Sequence, residues 1–105
     1  MERRIPLPSP NTYTIYSKSG CHYCTKAKEL VKSKNPVVVD CDEFLIENKD
    51  VFIQIMCKLA GKECKTFPIV FKDGTYLGGY TETKEQYETA EFKPKSEFLS
   101  FSTEF

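Results

Sequence analysis

Residues 17–26 read Ser-Lys-Ser-Gly-Cys-His-Tyr-Cys-Thr-Lys (SKSGCHYCTK), which sets Cys21 and Cys24 three positions apart. Just upstream, Thr12 to Ser17 (TYTIYS) alternates apolar and polar-capable side chains and is rich in β-formers, the pattern of a short strand. Downstream, Tyr23, Ala27, Leu30 and Val31 fall at helical spacing between His22 and Lys34, with Lys26, Lys28, Lys32 and Lys34 off that stripe. The two cysteines therefore stand at a strand-to-helix junction. Such a pair can be a structural bridge, half of a metal site or a working redox centre, and the rest of the chain bears on the choice.

A chain of 105 residues is long enough to bury one core and not two, so a single domain over 1–105 is expected. Lys plus Arg number 15 and Asp plus Glu number 15, giving a formal charge of zero and no basic footprint for nucleic acid or an anionic membrane. The longest aliphatic run is Val37-Val38-Val39, far short of the roughly 20 apolar residues a membrane span needs. Residues 1–11 hold two arginines and three prolines but no apolar stretch of signal-peptide length, and read as a flexible leader. A cytoplasmic, reducing setting and a monomer are expected. Five cysteines cannot all pair within one chain, which weakens a disulfide framework.

Further along, Asn35-Pro36 ends the first helix, because the residue before proline avoids the α region and proline donates no hydrogen bond. Val37 to Cys41 (VVVDC) reads as a strand buried on both faces. Phe52, Ile55, Met56 and Leu59 recur at helical spacing between Asn48 and Gly61, a second helix stopped by glycine. PIVF (68–71), Asp73-Gly74 and TYLGG (75–79) make a β-hairpin, and Thr83 with Gln86 forms a capping-box pattern for a third helix toward Phe92. Pro94 interrupts that helix, leaving 94–105 as an extension whose three phenylalanines and Leu99 are expected to pack on the domain. The order βαβα-ββα gives an α/β fold, a small four-stranded mixed sheet flanked by helices.

Only a thiolate attacks a disulfide, and a free cysteine of pKa about 8.5 is a few per cent ionised at neutral pH. Cys21, just before the first helical turn, faces unpaired N–H groups and the positive end of the helix dipole, and Lys18 adds a nearby charge. Depressing its pKa by about three units requires roughly 4 kcal/mol of preferential thiolate stabilisation. Cys24, one turn further in, is placed to resolve a mixed disulfide. An inert bridge is disfavoured without an export signal, and zinc would need two further ligands, whereas Cys57 and Cys64 are seven apart and His22 lies inside the loop. No metal is expected. A C-x-x-C placed at the junction of a βαβ unit reads as a thioredoxin-like redox motif.

Three motifs in order resemble those of the glutaredoxins, members of the thioredoxin superfamily, over about Thr12 to Phe92: SKSGCHYC with Lys18, Cys21, Tyr23 and Cys24, KTFP at 65–68, and GGYTE at 78–82. The resemblance implies a thioredoxin-like fold and a glutathione-dependent thiol–disulfide oxidoreductase, a redox-active centre in electron transport and cell redox homeostasis. Glutathione would be the co-substrate, and disulfide-containing or glutathionylated proteins the partners. It implies Cys21 and Cys24 as catalytic residues and a cis Pro68. Lys18 would meet the glycyl carboxylate, Thr66 and Phe67 would line the groove, and Thr81 and Glu82 would hold the γ-glutamyl end, with Tyr23, Pro68 and Gly79 completing the site. Gly78 and Gly79 permit close approach of a ligand to the backbone.

The sequence departs from the pattern at His22, where proline is usual, at Phe67, a larger side chain than usual, and at Glu82, where aspartate is usual. The longer GKECK segment leaves Gln54 as the candidate polar residue from the second helix. Cys41 and Cys57 read as packing residues and Cys64 as a surface thiol in a polar loop. A different function on the same fold, holding a glutathione-ligated [2Fe-2S] cluster between two subunits through Cys21, stays open because the loop lacks proline.

Overall fold

A computed structural model of the chain describes residues 5–64 and 66–92. The leader's residues 1–4 and the 94–105 extension, with its expected packing, lie outside the described residues.

The elements run β1 (Tyr13–Ser17), α1 (His22–Leu30), β2 (Val37–Asp40), α2 (Asp42–Ala60), β3 (Ile69–Lys72), β4 (Thr75–Gly78) and α3 (Tyr80–Phe92), with a 3₁₀ turn at Lys32–Lys34. The strands form one mixed sheet in the order β2-β1-β3-β4. β1 pairs parallel with β2 and antiparallel with β3, and β3 pairs antiparallel with β4. This is the four-stranded, helix-flanked mixed sheet expected from the order of elements, and the thioredoxin-like architecture the resemblance implied. The β3–β4 turn uses Asp73 and Gly74 at φ 52° and 86°, the positive-φ pair that closes a two-residue hairpin.

Alternation along the strands builds a core on each face of the sheet. Ile15 and Val70 pack with Ala27 and Val31 of the α1 segment and with Leu77, Tyr80 and Tyr87. Tyr16, Ile69 and Phe71 pack on the other face with Phe44, Phe52 and Met56 of α2. Sandwiched this way, all five residues of β1 are buried. Phe52, fully buried, lies between Phe44 and Phe67 with near-parallel rings at centroid distances of 5.6 and 6.1 Å. Burying such a ring contributes about 2–3 kcal/mol. Here it also fixes Phe67, so the core sets the position of the loop before β3.

Several expectations are corrected. β2 is not buried on both faces: it is the sheet's edge strand, and Val37 and Val38 remain 42% and 45% exposed while Val39 turns inward. Tyr23 does not join the α1 core stripe, which is carried by Cys24, Ala27 and Val31. The second helix starts at Asp42, six residues before Asn48, and Asn48 is a kink: its backbone is extended (φ −163°, ψ 89°) and its Oδ1 accepts the Val51 N–H at 3.1 Å. Asn48 thus caps the second half as an N-cap residue would. Thr83 and Gln86 do not form a capping box. The third helix opens at Tyr80, Glu82 Oε1 reaches back to the Gly79 N–H at 2.9 Å, Thr83 donates to the Gly79 carbonyl, and Gln86 accepts from the Tyr13 hydroxyl. Ahead of β1, the Pro6 carbonyl accepts from the Tyr16 hydroxyl at 2.6 Å and Thr14 Oγ1 from the Ser9 N–H at 2.8 Å.

Candidate active site

The turn after β1 delivers Cys21 to the N-cap of α1 in extended conformation (φ −107°, ψ 104°). Its sulfur accepts the Cys24 N–H at 3.1 Å. Cysteine replaces the usual hydroxyl or carboxylate cap, so the first helical turn donates directly to sulfur. Cys21 is partly exposed, Cys24 is 1% exposed, and the two are joined as a disulfide with Cα atoms 5.2 Å apart. This asymmetry, one sulfur toward solvent and one beneath it, suits an attacking and a resolving thiol.

Two grooves flank the Thr66-Phe67 segment. One, about 250 Å³, is lined by Tyr23, Thr66, Phe67, Pro68, Gly79, Tyr80, Thr81 and Glu82. The second, about 450 Å³, is lined by Lys18, Leu45 and Lys49 with the same Thr66 and Phe67. The Phe67-Pro68 bond is cis, as the resemblance implied. Each of Lys18, Tyr23, Thr66, Phe67, Pro68, Gly79, Thr81 and Glu82 therefore faces one groove or the other. Gln54 is exposed and lines neither, and the polar residue that α2 contributes is Lys49. Lys18 Nζ stands 5.5 Å from the Phe67 ring centroid, which places one positive charge over the shared wall.

The glutaredoxin family model matches residues 13–77. The chain belongs to the glutaredoxin family. It is similar to mitochondrial glutaredoxin-2 of Homo sapiens, 35% identical over 88 residues that are 82% of this chain and 52% of that protein. It is also similar to glutaredoxin 1 of Escherichia coli, 33% identical over 73 residues, 65% of this chain and 82% of that one. Glutaredoxin 1 of Francisella tularensis, a solved structure, superposes with a TM-score of 0.66 at 25% identity, covering 77% of this chain and 96% of the other. This chain spans about half the length of the mitochondrial relatives it matches.

Within this glutaredoxin fold, four contributors are not among the residues the sequence pointed to: Tyr80, Lys26, Lys49 and Asp42. Tyr80 stacks on Tyr23 at 5.8 Å between centroids, and Lys26 Nζ lies 5.6 Å from both rings. Lys49 lies inside the expected Asn48–Gly61 helix, but no motif distinguishes it from the other lysines, and only the fold brings it to the groove. Asp42, the first residue of α2, accepts from both the hydroxyl and the N–H of Ser19 (2.9 Å for the N–H), tying down the loop between Lys18 and Cys21. No spacing in the sequence announces a bond between positions 19 and 42.

Those Ser19 bonds, and then the charge of Lys18, hold the Asp42 carboxyl below its ordinary 3.8. A lowered folded-state pKa means the tether contributes fully above pH 3.8 and is lost as pH falls through the lower folded value. We expect the Ser19 amide resonance to titrate with an apparent pKa below 3.8, and Asp42→Asn to abolish that transition. A midpoint at or above 3.8 would contradict the tether.

Cys41 is fully buried, and burial with the neighbouring Asp40 pushes its thiol up to about 12, consistent with packing. Cys64 corrects the reading of a surface thiol: it is 5% exposed and packed in the core with Cys57 and Tyr76.

Proposed function

We propose that this protein is a dithiol, glutathione-dependent thiol–disulfide oxidoreductase that reduces glutathione mixed disulfides and protein disulfides. The observation that carries it is the Cys21 sulfur, seated as the cap of α1 and accepting a main-chain N–H while bonded to the buried Cys24. The N–H groups and dipole of the opening turn favour the anionic form of Cys21 once it is reduced.

In the reaction, the Cys21 thiolate attacks the glutathionyl sulfur of a mixed disulfide. The Cys21–glutathione bond forms, the bond to the substrate protein breaks, and the released thiolate takes up a proton. A second glutathione then attacks the glutathionyl sulfur, leaving as glutathione disulfide and restoring the thiolate. With a protein disulfide, Cys24 attacks Cys21 instead, which expels the reduced protein and produces the bridged form seen here. The tripeptide would lie along Thr66-Phe67, with its glycyl carboxylate toward Lys18 and its γ-glutamyl end toward Thr81 and Glu82, since the two grooves extend from the shared wall in those two directions. Main-chain pairing beside Pro68 suits an extended peptide.

A monomer in a reducing, cytoplasm-like compartment is part of the same reading. Three of the five cysteines stand as free thiols, the state such a compartment maintains.

The test is glutathione-dependent reduction of a small glutathione mixed disulfide, combined with the pH dependence of Cys21 alkylation. Turnover is expected, with Cys21 ionising well below the ordinary value of about 8.5. An alkaline midpoint together with absent turnover would sink the proposal. Anaerobic purification separates it from cluster binding: a colourless active protein supports the oxidoreductase, and a brown one with visible absorbance supports the cluster.

A further inference from the structure

Two cysteines outside the C-x-x-C have been brought together by the fold. Cys57 lies in the last turn of α2, and Gly61 ends that helix, its N–H bonded to the Cys57 carbonyl at 2.9 Å. The chain then doubles back, so that the Cys64 N–H donates to Cys57 Sγ at 3.4 Å and the Cys64 thiol donates to the same sulfur at 4.0 Å. Cys64 is buried and Cys57 only partly so. Cys64 immediately precedes the segment leading into Thr66 and Phe67, the wall shared by both grooves.

A disulfide requires its sulfurs at about 2.05 Å, so this pair is about 2 Å from bonding distance, within reach of a side-chain rotation with a small shift of the connecting turn. We propose that Cys57 and Cys64 are a second, reversible dithiol–disulfide couple, closed by a low-molecular-weight disulfide such as glutathione disulfide, that tethers the groove wall to the end of α2. Cys57, the more accessible sulfur, attacks as thiolate, forming a Cys57–glutathione bond and releasing one glutathione thiolate. Cys64 then gives up its proton, and its sulfur attacks Cys57 Sγ, expelling the second glutathione. Two cysteine thiols are oxidised, one glutathione disulfide is reduced to two glutathiones, and the two protons released pass to the departing thiolates. Burial, with the hydrogen bond to Cys57, pushes the Cys64 thiol up to about 12, so this second step is slow. The couple responds to sustained oxidation and not to each turnover at Cys21.

The test uses the full-length C21S/C24S variant, so chemistry at the site above plays no part and either idea can fail alone. The protein is equilibrated in buffers of rising glutathione disulfide, acid-quenched, alkylated and digested without reduction. The expected result is a linked peptide joining Cys57 to Cys64, lighter by two hydrogens, that becomes the major species and disappears on reduction. In that form, amide exchange at Thr66 and Phe67 should slow by about tenfold. The same peptide mapping on the wild-type protein covers a variant that does not fold. Free thiols at every buffer ratio, separate glutathione adducts without a link, or a link that leaves Thr66 and Phe67 exchange unchanged would each overturn the proposal.

Discussion

Replacing Cys21 by serine is expected to remove glutathione-dependent reduction by about a thousandfold or more, while replacing Cys24 by serine leaves turnover of glutathione mixed disulfides within a few-fold of wild type. The difference follows from the two environments. Serine at 21 keeps the cap hydrogen bond from the Cys24 N–H but offers no anion at neutral pH, so the turn has nothing ionised to stabilise. Cys24 is 1% exposed beneath Cys21 and touches no incoming disulfide first. In the proposed cycle Cys24 makes the second attack, which a free glutathione can perform on a glutathionylated Cys21 but cannot replace as efficiently on a protein-linked one. Protein-disulfide reduction should therefore fall sharply in Cys24→Ser while mixed-disulfide reduction persists. Kinetics on both substrates for both variants check this, and a Cys21→Ser protein that still turns over would refute the assignment.

Gly78→Ala is expected to be the most damaging single change on the far side of the groove. Gly78 has φ +138°, a region in which a side chain is strained by about 1–3 kcal/mol. An added Cβ would also lie 2.9 Å from Glu82 Cβ and 2.8 Å from its Cγ. Glu82 cannot retreat without giving up its bond to the Gly79 N–H, and with it the cap of α3. Strain, overlap and lost cap together predict about 3 kcal/mol of destabilisation, a Tm lower by roughly 10–20 °C, and weaker glutathione binding. Gly79→Ala is the control. Its φ is not in the positive region and the new Cβ would meet only Glu82 Oε1 and the Pro68 carbonyl at 3.6 Å, ordinary contact distances. Calorimetry of the pair checks the contrast, and equal melting temperatures would show that Gly78 is not conformationally required.

The departures at Tyr23 and Cys64 have one physical cause. Apolar content and local polarity suggest burial and exposure, but neighbours decide both. Tyr23 belongs by spacing to the α1 stripe, yet Tyr80 across the groove offers it a ring to stack on at the surface. Cys64 follows Gly61, Lys62 and Glu63, a polar run, yet the reversal after α2 folds it into the core cluster beside Cys57. The early start of α2 was illegible because Phe44, Leu45 and Ile46 form an unbroken apolar run, which carries no helical period, and because Asn48 breaks the pattern midway.

By itself the sequence determined the order of elements, the hairpin turn and the position of Cys21 at the opening of a helix, because each depends on residues within a few positions of one another. Through the resemblance of three short motifs it also pointed to most of the groove residues, leaving out Leu45, Lys49 and Tyr80. Tertiary structure alone decided that β2 is an edge, that Asp42 holds Ser19, that Lys49 rather than Gln54 lines a groove with Lys18, and that Cys57 meets Cys64. Each of these is a contact created by chain reversal or sheet order, where distance in space is set by packing and not by separation along the chain.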